Sequence, residues 1–342
     1  MKEIQLLMDG ILAKRNLKFA MVGSGSWATA LVKLLMNHQE KISWFIRDQK
    51  NIDRVMQNHR NKVYLSSVIL EPDRLFMSTD INAVVSGADV LIFCIPSAYF
   101  LGVMDRLTVS LDGKFIVSAI KGFVGDKTIA EYFNQIHNIP YDRIGVVSGP
   151  CHAEEVGMER LSYLTFTSKF NEDAQALCNF FECDYVNTIP GTDIYGVEYA
   201  AALKNIYAIA AGIAHGLGYG DNFLSVLITN SFKELSDFLN ASHPSESRNT
   251  LTSPYLGDLL VTAYSQFSRN RTFGSMIGKG YSVQNAQAEM NMVAEGYYAT
   301  DAIIRIKRRY KVDMPIAEAV YEILYEGKYP AYVMQRLSEL FV

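Results

Sequence analysis

The chain has 342 residues, 49% of them hydrophobic and 20% charged, and its 32 basic against 36 acidic side chains give a net charge of −4. That length is generous for one compact core and predicts two domains. The slightly acidic balance excludes a broad basic surface for nucleic acid or an anionic membrane, so an anionic ligand must be gripped by a few local cations.

The first stretch, MKEIQLLMDGILAKRNL, sets Ile4, Leu7, Met8, Ile11 and Leu12 at helical spacing, which predicts an amphipathic helical extension over residues 1–16. It is not a secretion signal: Asp9 and Gly10 interrupt the apolar run, and Lys14 and Arg15 close it without a small-residue cleavage site. No uninterrupted apolar run is long enough to span a bilayer. Cys94, Cys151, Cys178 and Cys183 have neither zinc-ligand nor CxxC spacing. No metal is expected, and a cytoplasmic protein with reduced thiols is the simplest reading.

An apolar strand over 17–22 runs straight into Gly23-Ser-Gly25-Ser-Trp-Ala28, and the helical stretch TALVKLLMN follows. This is a G-x-G-x-x-A turn between strand and helix. Gly23 permits the tight turn, Gly25 lets the backbone approach a pyrophosphate, and Ala28 lets the helix pack on the strand. The helix N-terminus offers its positive end to the phosphates. A second strand, 42–46, ends at Arg47-Asp48. An acidic residue there holds the ribose hydroxyl of NAD, and an Arg accommodates the extra phosphate of NADP. Both are present; Arg47 comes first and tips the reading towards NADP, with NAD left open.

Further apolar strands at 90–95, 115–120 and 144–148 alternate with helical or turn segments, and 161–167 and 184–189 add two candidates. Short apolar strands alternating with helices predict a doubly wound α/β sheet covered on both faces, a Rossmann-like domain over 17–190. Near Pro190-Gly191 the character changes. Long helical patterns follow, first 193–214 and then 222–239, and predict an all-α domain over 191–342. The basic run Lys307-Arg308-Arg309 reads as a solvated helix face.

Within the segment VEYAAALKNIYAIAAGIA, Lys204 is the single cation, with Ala200, Ala201, Tyr207 and Ala208 around it. A helix apolar on all sides is normally buried. A lysine in such a place must be paired, lose its charge easily, or both, and that is the behaviour wanted of a proton-transfer lysine.

The ordered motifs GSGSWATA, KVYLSS, IPS, SAIKG, SGPCHAEEV, ALKNIYAIAAGIAHGLGYGDN, LGDLLVT, SRNRTFG and VAEGY resemble NAD(P)-dependent glycerol-3-phosphate dehydrogenases of the bacterial type. The resemblance covers almost everything after the N-terminal extension. It implies reversible reduction of dihydroxyacetone phosphate to sn-glycerol 3-phosphate with NADP or NAD, feeding phospholipid synthesis. It also implies a small phosphorylated substrate and no nucleic acid or integral membrane partner, and a homodimer is left open as the assembly.

Carried onto matching positions, the resemblance makes Lys204 the acid/base, with Lys121 and Asp258 beside it in the catalytic set. Lys121, Asn205, Thr262, Ser268, Arg269 and Asn270 would bind substrate, with Arg269 on its phosphate. Ser26, Trp27, Arg47, Lys121, Ala153, Arg269, Val293 and Glu295 would join Gly23, Gly25 and Ala28 at the cofactor. Cys151 stands where the family often has Ser or Thr and reads as its substitute. Outside the family pattern, Arg269 and Arg271 would read as a solvated basic turn and Asp258 as a helix cap. A 3-hydroxyacid or phosphogluconate-type dehydrogenase would share this architecture, but lacks the LGDLLVT and SRNR pair. A non-catalytic dinucleotide sensor would have no reason to keep Lys121, Lys204, Asp258 and Arg269 together.

Overall fold

The computed structural model describes residues 10–12, 16–290 and 292–341. Most of the amphipathic extension expected over 1–16 lies outside these residues. Of its described part, Gly10 has a positive φ of 73°, and the backbone N–H of Leu12 donates to Asp173 Oδ1 at 2.7 Å.

The chain divides into two compact units. The first comprises residues up to Ile95, Tyr99–Ile120 and Ile129–Ile194. It is built on one sheet of β1 (Phe19–Val22), β2 (Ile42–Phe45), β3 (Leu75–Ser78), β4 (Val90–Phe93), β5 (Phe115–Ser118), β6 (Ile144–Ser148), β7 (Ser162–Ser168) and β8 (Val186–Gly191). Their spatial order is β3-β2-β1-β4-β5-β6-β7-β8. All neighbours run parallel except β6 and β7. β1 pairs with both β2 and β4, Phe19 lying opposite Ile42 on one side and Val90 on the other. The strand order reverses beside β1, and in open α/β sheets ligands bind outside the carboxyl ends of strands at such a point.

β1, β4, β5 and β6 are buried at every residue, which is why they read as continuous apolar runs. β3 was not anticipated from the sequence. It lies at the sheet edge, where only Leu75 is buried and Phe76 is exposed, so it carries no apolar run. Pro190 and Gly191, where the sequence changes character, are the last two residues of β8. Helices α1 (Ser26–Leu35), α2 (Gln49–Asn58), α3 (Ile81–Ser86), α4 (Ser97–Met104), α5 (Ile129–His137), α6 (Ala153–Gly157) and α7 (Asn171–Phe181) intervene.

The second unit comprises Pro96–Ala98, Lys121–Thr128 and the chain from Tyr195 on. It is helical: α8 (Ile194–Gly216), α9 (Asp221–Ser242), α10 (Asp258–Tyr264), α11 (Arg269–Gly278), α12 (Val283–Glu289), α13 (Glu295–Tyr310), α14 (Pro315–Leu324) and α15 (Pro330–Ser338). Every residue from Gly196 to Ala214 is buried, so α8 is the core of this unit, as its all-round apolar pattern demands. The carboxylate of Glu234, on α9, accepts from the backbone N–H groups of Ile316 (2.7 Å) and Ala317 (3.1 Å) and so caps α14. The basic run of α13 is not wholly solvated. Lys307 pairs with Glu318, its side chain only 11% exposed, and Arg309 pairs with Asp126 at 3.1 Å. Among the described residues, no helix is long and apolar enough to cross a membrane.

Candidate active site

In the first unit, β1 leads into a turn that requires glycine. Gly23 has φ of 122°, and a Cβ there would collide with the Cys94 carbonyl and the Ile95 side chain. A Cβ on Gly25 would point into open space, which is the room a close-lying pyrophosphate needs. Gly25 also starts α1, which opens without a side-chain cap, and the helix's positive end lies at the turn. Ser26 and Ala28 are buried, Ala28 against the sheet core. Trp27 is half-buried, and Ala153 is buried as the first residue of α6. These features fit a dinucleotide.

Just past β2, Arg47 is exposed, its guanidinium 6.0 Å from the centre of the Tyr99 ring. Asp48 caps α2, accepting from the backbone N–H of Lys50 at 3.0 Å. Cys151 is buried and is not in a disulfide.

In the second unit, a polar cluster interrupts the core. The Lys204 ammonium pairs with Asp258 Oδ1, and the Lys121 ammonium lies 3.5 Å from Asp258 Oδ2. Asp258 is 1% exposed, Lys204 5% and Lys121 18%. The carboxylate is placed by a π-helical turn, Ser253–Gly257, that runs directly into α10; such wide turns recur at functional sites. Two ammonium groups thus share one buried carboxylate. Burial pushes the Lys204 amine down to about 7; the Asp258 charge opposes the fall and the Lys121 charge adds to it.

A hydrogen-bonded chain surrounds the cluster. Asn205 Nδ2 donates to the Lys121 carbonyl (2.9 Å) and the Ala201 carbonyl (3.2 Å). Asn270 Nδ2 donates to Asn205 Oδ1 (2.9 Å), and Asn270 Oδ1 accepts from the backbone N–H of Gly296 (2.9 Å). The next residue back, Glu295, accepts from the Ser97 backbone N–H (2.8 Å) and hydroxyl (2.5 Å). Burial raises the Glu295 pKa, while the Ser97 hydrogen bonds and the Arg269 charge oppose the rise. Val293 is half-buried just before it.

Other expected site residues spend their polar groups locally. The Thr262 hydroxyl donates to the Asp258 carbonyl one turn back at 2.6 Å. Ser268 caps α11, its hydroxyl accepting from the Arg271 backbone N–H at 3.3 Å. Arg269 and Arg271 are half-buried rather than a fully solvated turn, and Asp258 is an ion-pair hub rather than a cap.

Two features had no role in the sequence reading. Ser97 appeared only inside the IPS motif. The glycine pairs Gly212/Gly216 on α8 and Gly274/Gly278 on α11 were not remarked on. A Cβ on Gly274 would lie 2.9 Å from the Ile213 nitrogen, and one on Gly216 2.9 Å from the Gly278 Cα, so the two helices meet backbone to backbone. The repeated G-x-x-x-G spacing was the available signal.

Comparison with known proteins agrees over both units. Residues 18–174 match the NAD-dependent glycerol-3-phosphate dehydrogenase N-terminus, and residues 193–335 match the C-terminus of the same family. The chain is 36% identical to glycerol-3-phosphate dehydrogenase [NAD(P)+] of Prosthecochloris aestuarii, over 90% of this chain and 93% of that protein. With the Bacillus pumilus protein of the same name it shares 35% identity, over 91% of each. The crystal structure of glycerol-3-phosphate dehydrogenase from Coxiella burnetii superposes with a TM-score of 0.86 at 27% identity, covering 94% of this chain and 99% of that one. With its parallel-sheet turn built for a dinucleotide and its buried two-lysine cluster, the chain belongs to the NAD(P)-dependent glycerol-3-phosphate dehydrogenase family.

Proposed function

We propose that the protein reversibly reduces dihydroxyacetone phosphate to sn-glycerol 3-phosphate, using NAD(P)H. The observation that carries this reading is the pair of lysines on one buried carboxylate. When bound, a nicotinamide would supply the hydride for reduction and accept it in oxidation. What the protein must add is a proton for the forming alkoxide and a field that favours negative charge there. Lys204, with its lowered pKa, donates the proton as lysinium in reduction and accepts it as amine in oxidation. Lys121 orients the carbonyl and shares the stabilisation of its oxygen. Asp258 holds both ammonium groups in place.

The substrate phosphate takes no part in the chemistry, so its grip serves alignment. Arg269, at the first turn of α11, fits this task with its planar fork of donors. Asn205, Asn270, Thr262 and Ser268 frame that grip. Gly23, Gly25, Ser26, Trp27, Ala28, Ala153, Val293 and Glu295 contact the cofactor. Arg47 favours NADP, because the neighbouring Asp48 carboxylate already serves as a helix cap. None of the four described cysteines is in a disulfide, which suits a reducing cytoplasm.

The test is nicotinamide absorbance with dihydroxyacetone phosphate. Lys204→Ala is expected to lose turnover by at least a thousandfold while NADPH still binds. Substantial residual turnover would remove Lys204 from the acid/base role.

A further inference from the structure

A turn that cradles a pyrophosphate must present N–H groups to the anion and keep its carbonyl oxygens away from it. Each carbonyl between Gly23 and Gly25 is tied back by an internal donor. The Trp44 indole N–H donates to the Gly23 carbonyl at 2.6 Å. Asn61 Nδ2 donates to the Ser24 carbonyl at 2.9 Å. The Thr29 hydroxyl donates to the Gly25 carbonyl at 2.9 Å, and that hydroxyl itself accepts from Asn61 Nδ2 at 2.8 Å. Trp44, Thr29 and Asn61 are all fully buried.

Asn61 is not explained by packing alone, because its Oδ1 is buried and finds no donor among the described residues. An unsatisfied buried oxygen costs stability. What the side chain gives in return is its two amide protons, one spent on the Ser24 carbonyl and one on the Thr29 hydroxyl that holds the Gly25 carbonyl. The loop that carries Asn61 is anchored to the same place: the Ser26 hydroxyl donates to the Tyr64 carbonyl at 3.0 Å, and Leu65 N–H donates to the Asn61 carbonyl at 2.9 Å.

We infer that Asn61 and Trp44 are positioning residues for the dinucleotide, fixing the carbonyls of the Gly23–Gly25 turn so that the backbone is set for a pyrophosphate before it arrives. They act through the turn and touch neither substrate nor reacting atoms. A carbonyl released from its donor is free to swing towards the phosphates, where it repels them, so losing the tie weakens binding even when the fold survives. The inference rests on the reading that this turn receives the dinucleotide.

The experiment is titration of NADPH and of ADP-ribose, which carries the pyrophosphate without the nicotinamide, into Asn61→Leu, Trp44→Phe and Gly25→Val proteins. Asn61→Leu is expected to raise both dissociation constants about tenfold, the worth of one buried hydrogen bond. Its kcat at saturating NADPH and its KM for dihydroxyacetone phosphate stay within about twofold of the parent, because the ties act on cofactor binding. Trp44→Phe keeps the buried ring and removes one tie, so it decides the matter if Asn61→Leu does not fold; its constants shift in the same direction. Unchanged constants in a folded variant, or a loss confined to kcat, would overturn the inference. Gly25→Val separates the two levels. If it binds NADPH normally, the turn is not the cofactor site. If it abolishes binding while Asn61→Leu and Trp44→Phe do not weaken it, the site stands and the positioning role falls.

Discussion

The side-chain amide of Asn270 donates to the side-chain oxygen of Asn205, and the oxygen of the same Asn270 side chain accepts from the backbone N–H of Gly296. Asn205 in turn spends both amide protons on the carbonyls of Lys121 and Ala201. The two carboxamides form a ladder from the backbone of Lys121, across α8, to the first turn of α13. Asn270→Asp is expected to set an acceptor against the Asn205 oxygen and to lower kcat/KM by one to two orders of magnitude, at roughly 1–3 kcal/mol for a buried mispaired group. The check is a double-mutant cycle of Asn205→Ala and Asn270→Ala, with a coupling of roughly 1–2 kcal/mol expected for members of one network. Additive losses would mean that the two side chains act separately.

Much of this site was legible in the sequence, for a physical reason. Lys204 stood out because a lone cation in an apolar helix conflicts with its surroundings, and the helix is buried on all sides as that conflict required. Gly23, Gly25 and Ala28 stood out because the G-x-G-x-x-A spacing demands a tight turn, and Gly23 has the positive φ such a turn needs. β3 did not, because an edge strand with one buried residue leaves no apolar run. The roles of Ser97, Asn61 and Trp44 were hidden for another reason: each acts through a partner distant in sequence, Glu295, Ser24 and Gly23 respectively. Local pattern contains no trace of such bonds.

The pH dependence follows from the lowered Lys204 pKa. In the proposed acid/base role reduction would consume the lysinium, so kcat/KM for dihydroxyacetone phosphate should fall as pH rises through about 7. Oxidation of glycerol 3-phosphate needs the amine and should rise through the same region. For stability, the unfolded chain holds a proton on this lysine up to its ordinary value of 10.5, whereas the folded chain gives it up near 7. This group therefore makes stability rise with pH across that window. Asp258→Asn removes the charge that supports the lysinium, so both limbs should move to lower pH. It should also destabilise the fold, most at low pH, where Lys204 stays charged without its partner. Profiles measured in both directions, with and without the substitution, decide this; limbs that stay in place would assign them to another group.

The contact between α8 and α11 makes a separate prediction. A methyl on Gly274 would lie 2.9 Å from the Ile213 nitrogen, and backbone cannot yield as a side-chain tip can. Gly274→Ala should force the helices apart and cost roughly 1–3 kcal/mol in urea unfolding. Because α11 begins at Arg269, five residues earlier, the displacement should also raise KM for dihydroxyacetone phosphate more than it lowers kcat. Gly102→Ala, in α4 with nothing within 4 Å of the added carbon, is the contrasting case and should gain roughly 0.5–1 kcal/mol. Equal effects at the two positions would show that the close crossing carries no special constraint.

The proposed preference for NADP rests on two adjacent side chains that do different work in the fold. Asp48 accepts from the Lys50 backbone N–H as the cap of α2, whereas Arg47 is exposed with its guanidinium near the Tyr99 ring. A carboxylate committed to a cap is poorly placed to discriminate at the ribose, while a guanidinium offers a fork to a phosphate. Arg47→Leu should therefore lower kcat/KM for NADPH by roughly 10- to 100-fold, the worth of a charge-assisted hydrogen bond, and leave NADH within about twofold. Asp48→Asn keeps a good capping side chain and removes the charge, so it should change neither cofactor's kcat/KM nor the melting temperature appreciably. If Asp48→Asn instead selectively weakens NADH, the carboxylate serves the ribose as well as the helix, and the enzyme is built to use both nicotinamide cofactors.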